Sequence, residues 1–319
     1  MGDPMRDAQR EPAEAASPWP RRLAFATLVA AVPLVFFGGT VTTLHAGLAI
    51  DGWLVLEPGR GDHFLWLYPV DKWFRDVGTF VEHSHRLLGS LVGLLAVATL
   101  VATFALDRRR TARALAAAAL LGVVVQGAIG GLRVLEKSEN LAFLHGAIAQ
   151  AVVALLGASW LSSALPRESA GSLRLGWLAA ISVYAQIVAG AWLRHGGGVP
   201  ALAVHGILAV VVGILVIQLA RSFGAGAPGL RRSLLALLTT QFALGFAAFG
   251  VVWLGPEHAS GAAPGLGSSV FPTLHVLIGG SLLLACVAGI FRSRGGRPAK
   301  SAAAVRTAEL RLGRLETAR

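Results

Sequence analysis

The sequence has 319 residues, of which 55% are hydrophobic and 14% are charged, and its mean hydropathy is +0.64. These values exclude an ordinary soluble enzyme and predict a protein that crosses a membrane several times. The formal net charge is +11. Because the basic residues flank apolar segments and do not form one face with interleaved aromatic residues, we expect no binding to nucleic acid.

A membrane-spanning helix needs about 20 consecutive, mainly apolar residues. Eight segments meet this requirement, and in chain order they are 23–44, 81–106, 114–132, 141–163, 175–193, 201–220, 233–254 and 271–291. The predicted fold class is therefore an all-α polytopic membrane protein with eight transmembrane helices. Segments 1–22 and 292–319 are expected to be tails, the second of them basic and in contact with anionic membrane lipid.

The basic residues are distributed unequally between the two sides of the predicted bundle. If both termini are cytoplasmic, 21 of the 28 Lys and Arg residues lie inside and seven lie outside. The positive-inside rule therefore predicts cytoplasmic termini. The first span lacks a cleavage site of the A-x-A type and is expected to remain in the protein. A bacterial cytoplasmic membrane is the predicted location.

Four of the predicted helices carry a histidine about one turn from their outer end, and these residues are His85, His145, His205 and His275. A polar side chain within a membrane helix is costly and therefore indicates a function. A single histidine is explained by a hydrogen bond to a neighbouring helix. Four at matched depth favour a different role, because two imidazoles from facing helices can hold one haem iron.

The spacing of these histidines indicates an internal repeat. Gln126 lies 19 residues before His145, and Gln186 lies 19 residues before His205. Four spans in each half predict two four-helix bundles, 23–165 and 166–291, related by a pseudo-twofold axis along the membrane normal. Spans 2 and 4 would supply the pair His85 and His145. Spans 6 and 8 would supply the pair His205 and His275.

The segment Glu82-His83-Ser84-His85-Arg86 places a carboxylate and a guanidinium beside one of these histidines. Glu82 is a candidate catalytic residue. Alternatively, Thr79 and Glu82 form a capping box at the start of a helix. Three arginines near the outer ends of the spans either extend to the membrane interface or bind haem propionates; they are Arg86, Arg133 and Arg194.

The long outer loop 45–80 is rich in aromatic residues. Such a segment is typical of an aromatic belt at the membrane interface, and a lid over a site is the alternative. We expect His83 to point away from His85. Exposed polar roles are predicted for the histidines in or near the outer loops, which are His45, His63, His195 and His258.

These motifs resemble those of the haem A synthase family, which is related to the cytochrome oxidase assembly factors. The resemblance covers about residues 23–291 and rests on G-G-T-V-T-T-L-H-A-G-L-A-I-D-G-W at 38–53, E-H-S-H-R at 82–86, L-A-F-L-H-G at 141–146, G-A-W-L-R-H at 190–195 and the later histidines. It implies oxidation of a ring methyl of haem O to the formyl group of haem A. It also implies that His85 and His145 flank haem O, and that His205 and His275 hold a haem b cofactor.

The resemblance further implies an electron donor and contact with a haem O synthase or with oxidase assembly factors; a homo-oligomer is also open. Many bacterial relatives carry a cysteine pair in an outer loop, whereas this chain has one cysteine, Cys286. An intramolecular disulfide is therefore excluded.

Two other functional classes remain open from the residues themselves. One is a dihaem b electron-transfer cytochrome without turnover, and the other is a transporter or structural assembly factor.

The distribution of basic residues predicts the membrane topology. Reporter fusions placed after Arg110 and Arg232 should report the cytoplasm, because these positions follow basic inner loops. Fusions within 45–80 and 255–272 should report the outside. Alkaline phosphatase and fluorescent protein reporters distinguish the two sides, and a consistent reversal of their signals would contradict the predicted orientation.

Overall fold

The computed structural model describes residues 17–164, 170–255, 260 and 266–294. These residues form eight helices that are long and apolar enough to cross a membrane, which confirms the predicted fold class. With the short helix α2 (Val70–Trp73) in the first connection, the helices are α1 Trp19–Thr43, α3 Val77–Leu106, α4 Arg110–Leu135, α5 Glu139–Ala164, α6 Leu173–Arg194, α7 Gly198–Ser222, α8 Pro228–Leu254 and α9 Leu266–Ser293.

Most of the helices extend beyond the spans predicted from hydropathy. Helix α3 begins at Val77, four residues before the predicted span, and α8 begins at Pro228 instead of residue 233. Helix α1 begins at Trp19, so the predicted tail 1–22 is too long. The reason is physical: hydropathy marks the segment that suits the hydrocarbon layer, whereas backbone hydrogen bonds continue the helix into the polar interface.

The eight long helices form four hairpins in which consecutive helices pack together: α1 with α3, α4 with α5, α6 with α7, and α8 with α9. Within the first half, α3 also packs on α4, and α1 packs on α5. The second half repeats this arrangement, with α7 on α8 and α6 on α9. The halves meet through α5 and α9, flanked by the equivalent contacts of α1 with α9 and of α6 with α5. The packing therefore follows a pseudo-twofold relation. The predicted boundary at 165/166 lies at the edge of the undescribed segment 165–169.

Each half has its own apolar core. Leu28, Val92 and Leu156 belong to the first, whereas Val216 and Leu282 belong to the second. The outward helix faces remain apolar, as illustrated by side chains that are strongly exposed, namely Val101 (63%), Ile207 (67%) and Phe246 (74%). Such an exposed apolar surface suits contact with lipid.

All four histidine-bearing helices carry their histidine near the same end of the bundle, which we call the histidine end. The connection between α1 and α3 lies there and is folded. It contains an antiparallel pair of strands, β1 (Val55–Leu56) and β2 (His63–Phe64), followed by a 3₁₀ turn and α2. A small core of its own holds it together, formed by Ile50, Leu56, Leu65 and Tyr68. We call residues 44–76 the cap. The equivalent connection in the second half, between α6 and α7, consists of residues 195–197.

Candidate functional site

The structure brings the four intramembrane histidines together as the two predicted pairs. His85 on α3 and His145 on α5 have ring centroids 6.3 Å apart. His205 on α7 and His275 on α9 have ring centroids 6.1 Å apart. The two pairs occupy equivalent places in the two halves.

Each imidazole lies against a glycine of the helix that precedes it in the same hairpin. A Cβ atom at that glycine would stand 2.8–3.0 Å from Cε1 of the ring, too close for any other residue without displacement of the imidazole. The glycines are Gly38 for His85, Gly130 for His145, Gly190 for His205 and Gly245 for His275. We call each such position a glycine socket. The sockets therefore fix where each ring can lie.

Three of the four imidazoles also have the same hydrogen bond. Nδ1 of His85 lies 3.0 Å from the carbonyl oxygen of Leu34, and Nδ1 of His205 and of His275 lies 3.2 Å from the carbonyl oxygens of Gln186 and Gln241. A carbonyl oxygen only accepts, so Nδ1 must carry the proton. The lone pair is then on Nε2, which is available to a metal. His145 keeps the glycine contact, but its Nδ1 makes no hydrogen bond among the described residues.

These sockets were not among the sequence predictions, although the sequence carries a signal for three of them. In α4, α6 and α8 a glutamine precedes the socket glycine by four residues, and its side chain lies beside the same histidine. Gln126 and Gln186 donate to the carbonyl oxygens of His145 and His205 over 2.7 and 2.9 Å. Helix α1 carries Leu34 at this position, so the pattern is incomplete there.

The arrangement fits a haem iron between each pair of imidazoles. A metal–imidazole bond is about 2.0 Å long, so two rings on opposite sides of one ion have centroids about 6 Å apart. Within the described residues, α3 and α5 do not pack extensively on each other, nor do α7 and α9. A flat ligand between the two helices of a pair would therefore not have to separate a packed helix interface. At His275, Nε2 lies 3.2 Å from Nε2 of Gln241, so metal binding there requires this glutamine to turn away.

The carboxylate of Glu82 is buried, with 3% of the residue exposed. It accepts hydrogen bonds from the backbone N–H of Ile50 over 2.9 Å and from Arg86 over 2.7 Å. The predicted capping box is wrong. Helix α3 begins at Val77, and its N-cap is Asp76, which accepts from the N–H of Thr79 over 2.8 Å. This hydrogen bond also lowers the pKa of Asp76.

The three arginines that the sequence points to as propionate ligands contact backbone carbonyl oxygens at the histidine end. Arg86 donates to Gly52 over 2.8 Å and to Ile50 over 3.0 Å. Arg133 donates to Gly47 over 2.9 Å. Arg194 donates to Gly39 over 3.0 Å and to Oγ1 of Thr43 over 2.7 Å. The guanidinium groups thus face the cap and α1, beside the histidine pairs. Their contact with haem propionates stays a prediction.

The remaining histidines lie apart from the two pairs. His83 is buried between the rings of Tyr68 and Trp73, with centroid distances of 4.9 and 5.1 Å. His45 is exposed, as predicted, and His63 is partly buried beside Lys72. The expectation of an exposed His195 is wrong, because its side chain is 11% exposed where α6 meets α5. This burial lowers the pKa of His195. His258 lies outside the described residues.

Residues 68–204 match the family model described as cytochrome oxidase assembly protein. This part of the chain is similar to that family. The match confirms the resemblance predicted from the motifs, and it includes Glu82, the first histidine pair and the three arginines. The matched region ends one residue before His205. The second histidine pair therefore lies outside it, and its similarity to the first pair rests on the repeated helix packing and the shared glycine sockets. No curated protein matches this chain.

The glycine sockets can be tested by adding one methyl group. In Gly245→Ala, the new Cβ would stand 3.0 Å from Cε1 of His275 and displace the ring. Overpacking of this kind costs about 1–3 kcal/mol, which would weaken haem affinity by about 5- to 150-fold if the cost falls on the haem-bound state. Gly250→Ala on the same helix is the control, because its Cβ would meet nothing within 4 Å. Haem titration of the purified variants checks this, and equal affinities would contradict a role for the socket.

Proposed function

We propose that this protein is a haem A synthase of a bacterial cytoplasmic membrane, which oxidises a methyl group of haem O to the formyl group of haem A for terminal oxidase biogenesis. The observation that carries the proposal is the presence of two histidine pairs, of which one is covered by a cap and accompanied by a buried carboxylate. The family match supports a role in cytochrome oxidase assembly.

The two halves differ in the way that a substrate site and a cofactor site would differ. Next to the first pair stand Glu82, Arg86 and Arg133. The equivalent positions of the second half, counted from its histidines and socket glycines, carry Leu202, Gly206 and Ala248. These three charged groups are therefore specific to the first half, whereas Arg194 belongs to α6 of the second half. We assign haem O to His85 and His145, and a resident haem b to His205 and His275.

The haem irons, when bound, supply the oxidative chemistry, and the protein supplies ligation, orientation and local charge. The sockets position all four imidazoles, and in His85 and His205 the hydrogen bond of Nδ1 leaves Nε2 available to the iron. Arg86, Arg133 and Arg194 lie at the histidine end, and they would bind the haem propionates there, because a guanidinium suits a carboxylate. Glu82 would stabilise positive charge that develops at the reacting carbon, or would move a proton. Electrons would pass to a separate redox partner.

A dihaem b cytochrome that only transfers electrons is the second candidate. The four sockets support this function as well as they support the synthase. Electron transfer alone gives no reason for a cap and a buried carboxylate at one pair and not at the other. A transporter or purely structural assembly factor would leave the four sockets unexplained.

The decisive experiment is expression of the chain together with a haem O synthase, followed by chromatography of the extracted haems. Haem A should appear, because haem O would be bound at the first pair and oxidised there. Haem O and haem b without haem A, from protein that carries both haems, would favour the electron-transfer cytochrome.

Histidine variants test the assignment of the two pairs. Replacement of His205 or His275 with Ala should remove most haem b from the purified protein, because the ligand and the packed site are lost together. Replacement of His85 or His145 should leave haem b in place and abolish haem A formation. Pyridine haemochrome spectra measure this, and equal loss of haem b from all four variants would refute the division.

Substitution of Glu82 can separate the loss of its charge from the loss of its hydrogen bonds. In Glu82→Gln the amide oxygen still accepts from Ile50, but the negative charge is lost. If that charge acts on the reacting methyl, haem O and haem b should bind while haem A formation falls by about a hundredfold. Asp76→Asn is the matched control, since Asn remains a good N-cap and should leave turnover unchanged. Near-normal haem A output from a folded Glu82→Gln protein would eliminate the catalytic role and leave Glu82 as an anchor for the cap.

A further inference from the structure

The cap is attached to the bundle along two edges that differ in strength. Along α3, Tyr68 and Trp73 pack on His83, and Nε1 of Trp73 donates to Oγ of Ser84 over 3.2 Å. Phe74 packs on Phe80 with ring centroids 5.3 Å apart. This edge combines aromatic packing with hydrogen bonds. It fixes the cap to the first turns of α3.

Along α4, the structure shows two contacts of the cap. The indole of Trp53 lies on Gly131, so closely that any Cβ at residue 131 would overlap the ring. Arg133 donates one hydrogen bond to the carbonyl oxygen of Gly47 over 2.9 Å. These two contacts, one aromatic ring and one hydrogen bond that water could replace, hold the cap at this edge. The α4 edge is the weaker attachment.

The segment between these edges crosses the first histidine pair. We call residues 47–53 the strap. On α3 it is bound by Glu82 and Arg86, which flank His85. On α4 it is bound by Gly131 and Arg133, which follow the socket glycine Gly130. The attachment points on α3 lie within about one helical turn, or about 5 Å, of His85, and those on α4 lie within a turn of Gly130, which contacts His145. The strap therefore closes the first pair from the histidine end.

We propose that the strap is a gate for the first histidine pair, which turns about its α3 edge and opens at its α4 edge, with Trp53 as the latch. This inference rests on the proposed function, in which haem O must enter and haem A must leave while haem b stays. The small core around Ile50 allows the cap to move as one body. A closed strap would exclude water during the reaction, as lids over reactive sites do.

The test uses purified protein, loaded with haem O and haem b, and measures haem transfer to excess apomyoglobin. Trp53→Ala should release haem O about tenfold faster, the equivalent of losing roughly 1.4 kcal/mol of closure, and should leave haem b release unchanged. The matched control is Trp66→Ala, which removes a tryptophan of the same cap that is 57% exposed. Unchanged haem O release from Trp53→Ala, or equal acceleration of both haems, would overturn the gate.

Binding kinetics separate a gate from a simple haem contact. Loss of a latch should raise the association and dissociation rate constants of haem O by the same factor and leave Kd unchanged. Loss of a ring that merely touches the haem should raise Kd through dissociation alone. A change confined to the dissociation rate would therefore reject the latch.

Cross-linking tests which edge opens. Trp53→Cys with Gly131→Cys, joined by a short bis-methanethiosulfonate linker, should slow haem O transfer by about tenfold or more, and reduction should restore it. The control, Ala49→Cys with Gly78→Cys, ties the strap to α3 by a disulfide. Its Cβ positions are 3.5 Å apart, which suits a disulfide, and it should leave transfer unchanged. Equal blocking by both cross-links would place the hinge elsewhere.

The outcomes distinguish the gate from the proposed function. If haem A never forms but haem O release still depends on Trp53, the gate stands and the synthase assignment fails. If haem A forms in every variant and haem O release does not respond to Trp53 or to the α4 cross-link, the gate fails and the synthase assignment stands. Cys286 does not interfere with the cross-links, because it is fully buried in α9.

Discussion

The contact between an imidazole and a glycine of the preceding helix is the constraint on which the rest of the structure depends. It repeats in all four hairpins and brings a helix backbone directly against each histidine ring. In three hairpins the ring also meets a carbonyl oxygen four residues before that glycine. Backbone atoms therefore set the position of all four rings and the tautomer of three of them, so these ligands are oriented before any metal binds.

The repeated hairpin unit accounts for the architecture, and the residues that differ between its copies account for the difference between the halves. The helix contacts of one half have counterparts in the other, which places the histidine pairs at equivalent positions. The first half adds a long folded connection and a buried ion pair, Glu82 with Arg86. In the second half, the apolar or small residues Leu202 and Gly206 occupy the equivalent positions. One scaffold thus presents two chemically different environments.

The charged groups at the histidine end are stabilised mainly by backbone partners. A buried charge requires hydrogen bonds or an opposite charge, or its desolvation is too costly. Glu82 and Arg86 satisfy each other and also bind the cap through Ile50 and Gly52. The same residues therefore connect the chemistry proposed for the first pair to the position of its cover. This coupling explains why a carboxylate on α3 has to be judged together with a loop 32 residues earlier in the chain.

The sequence by itself determined the membrane class, the eight spans and the pairing of histidines, because hydropathy and regular spacing are local properties of the chain. It also showed the glutamines of α4 and α6, but not that a glycine four residues later receives an imidazole from another helix. The alternative role of Glu82 in a capping box is wrong, because Thr79 and Glu82 have the right spacing but the N-cap of the helix is Asp76. Only the tertiary structure brought Ile50 to Glu82 and Trp53 to Gly131. Such contacts depend on the path of a long connection, and no local periodicity records that path.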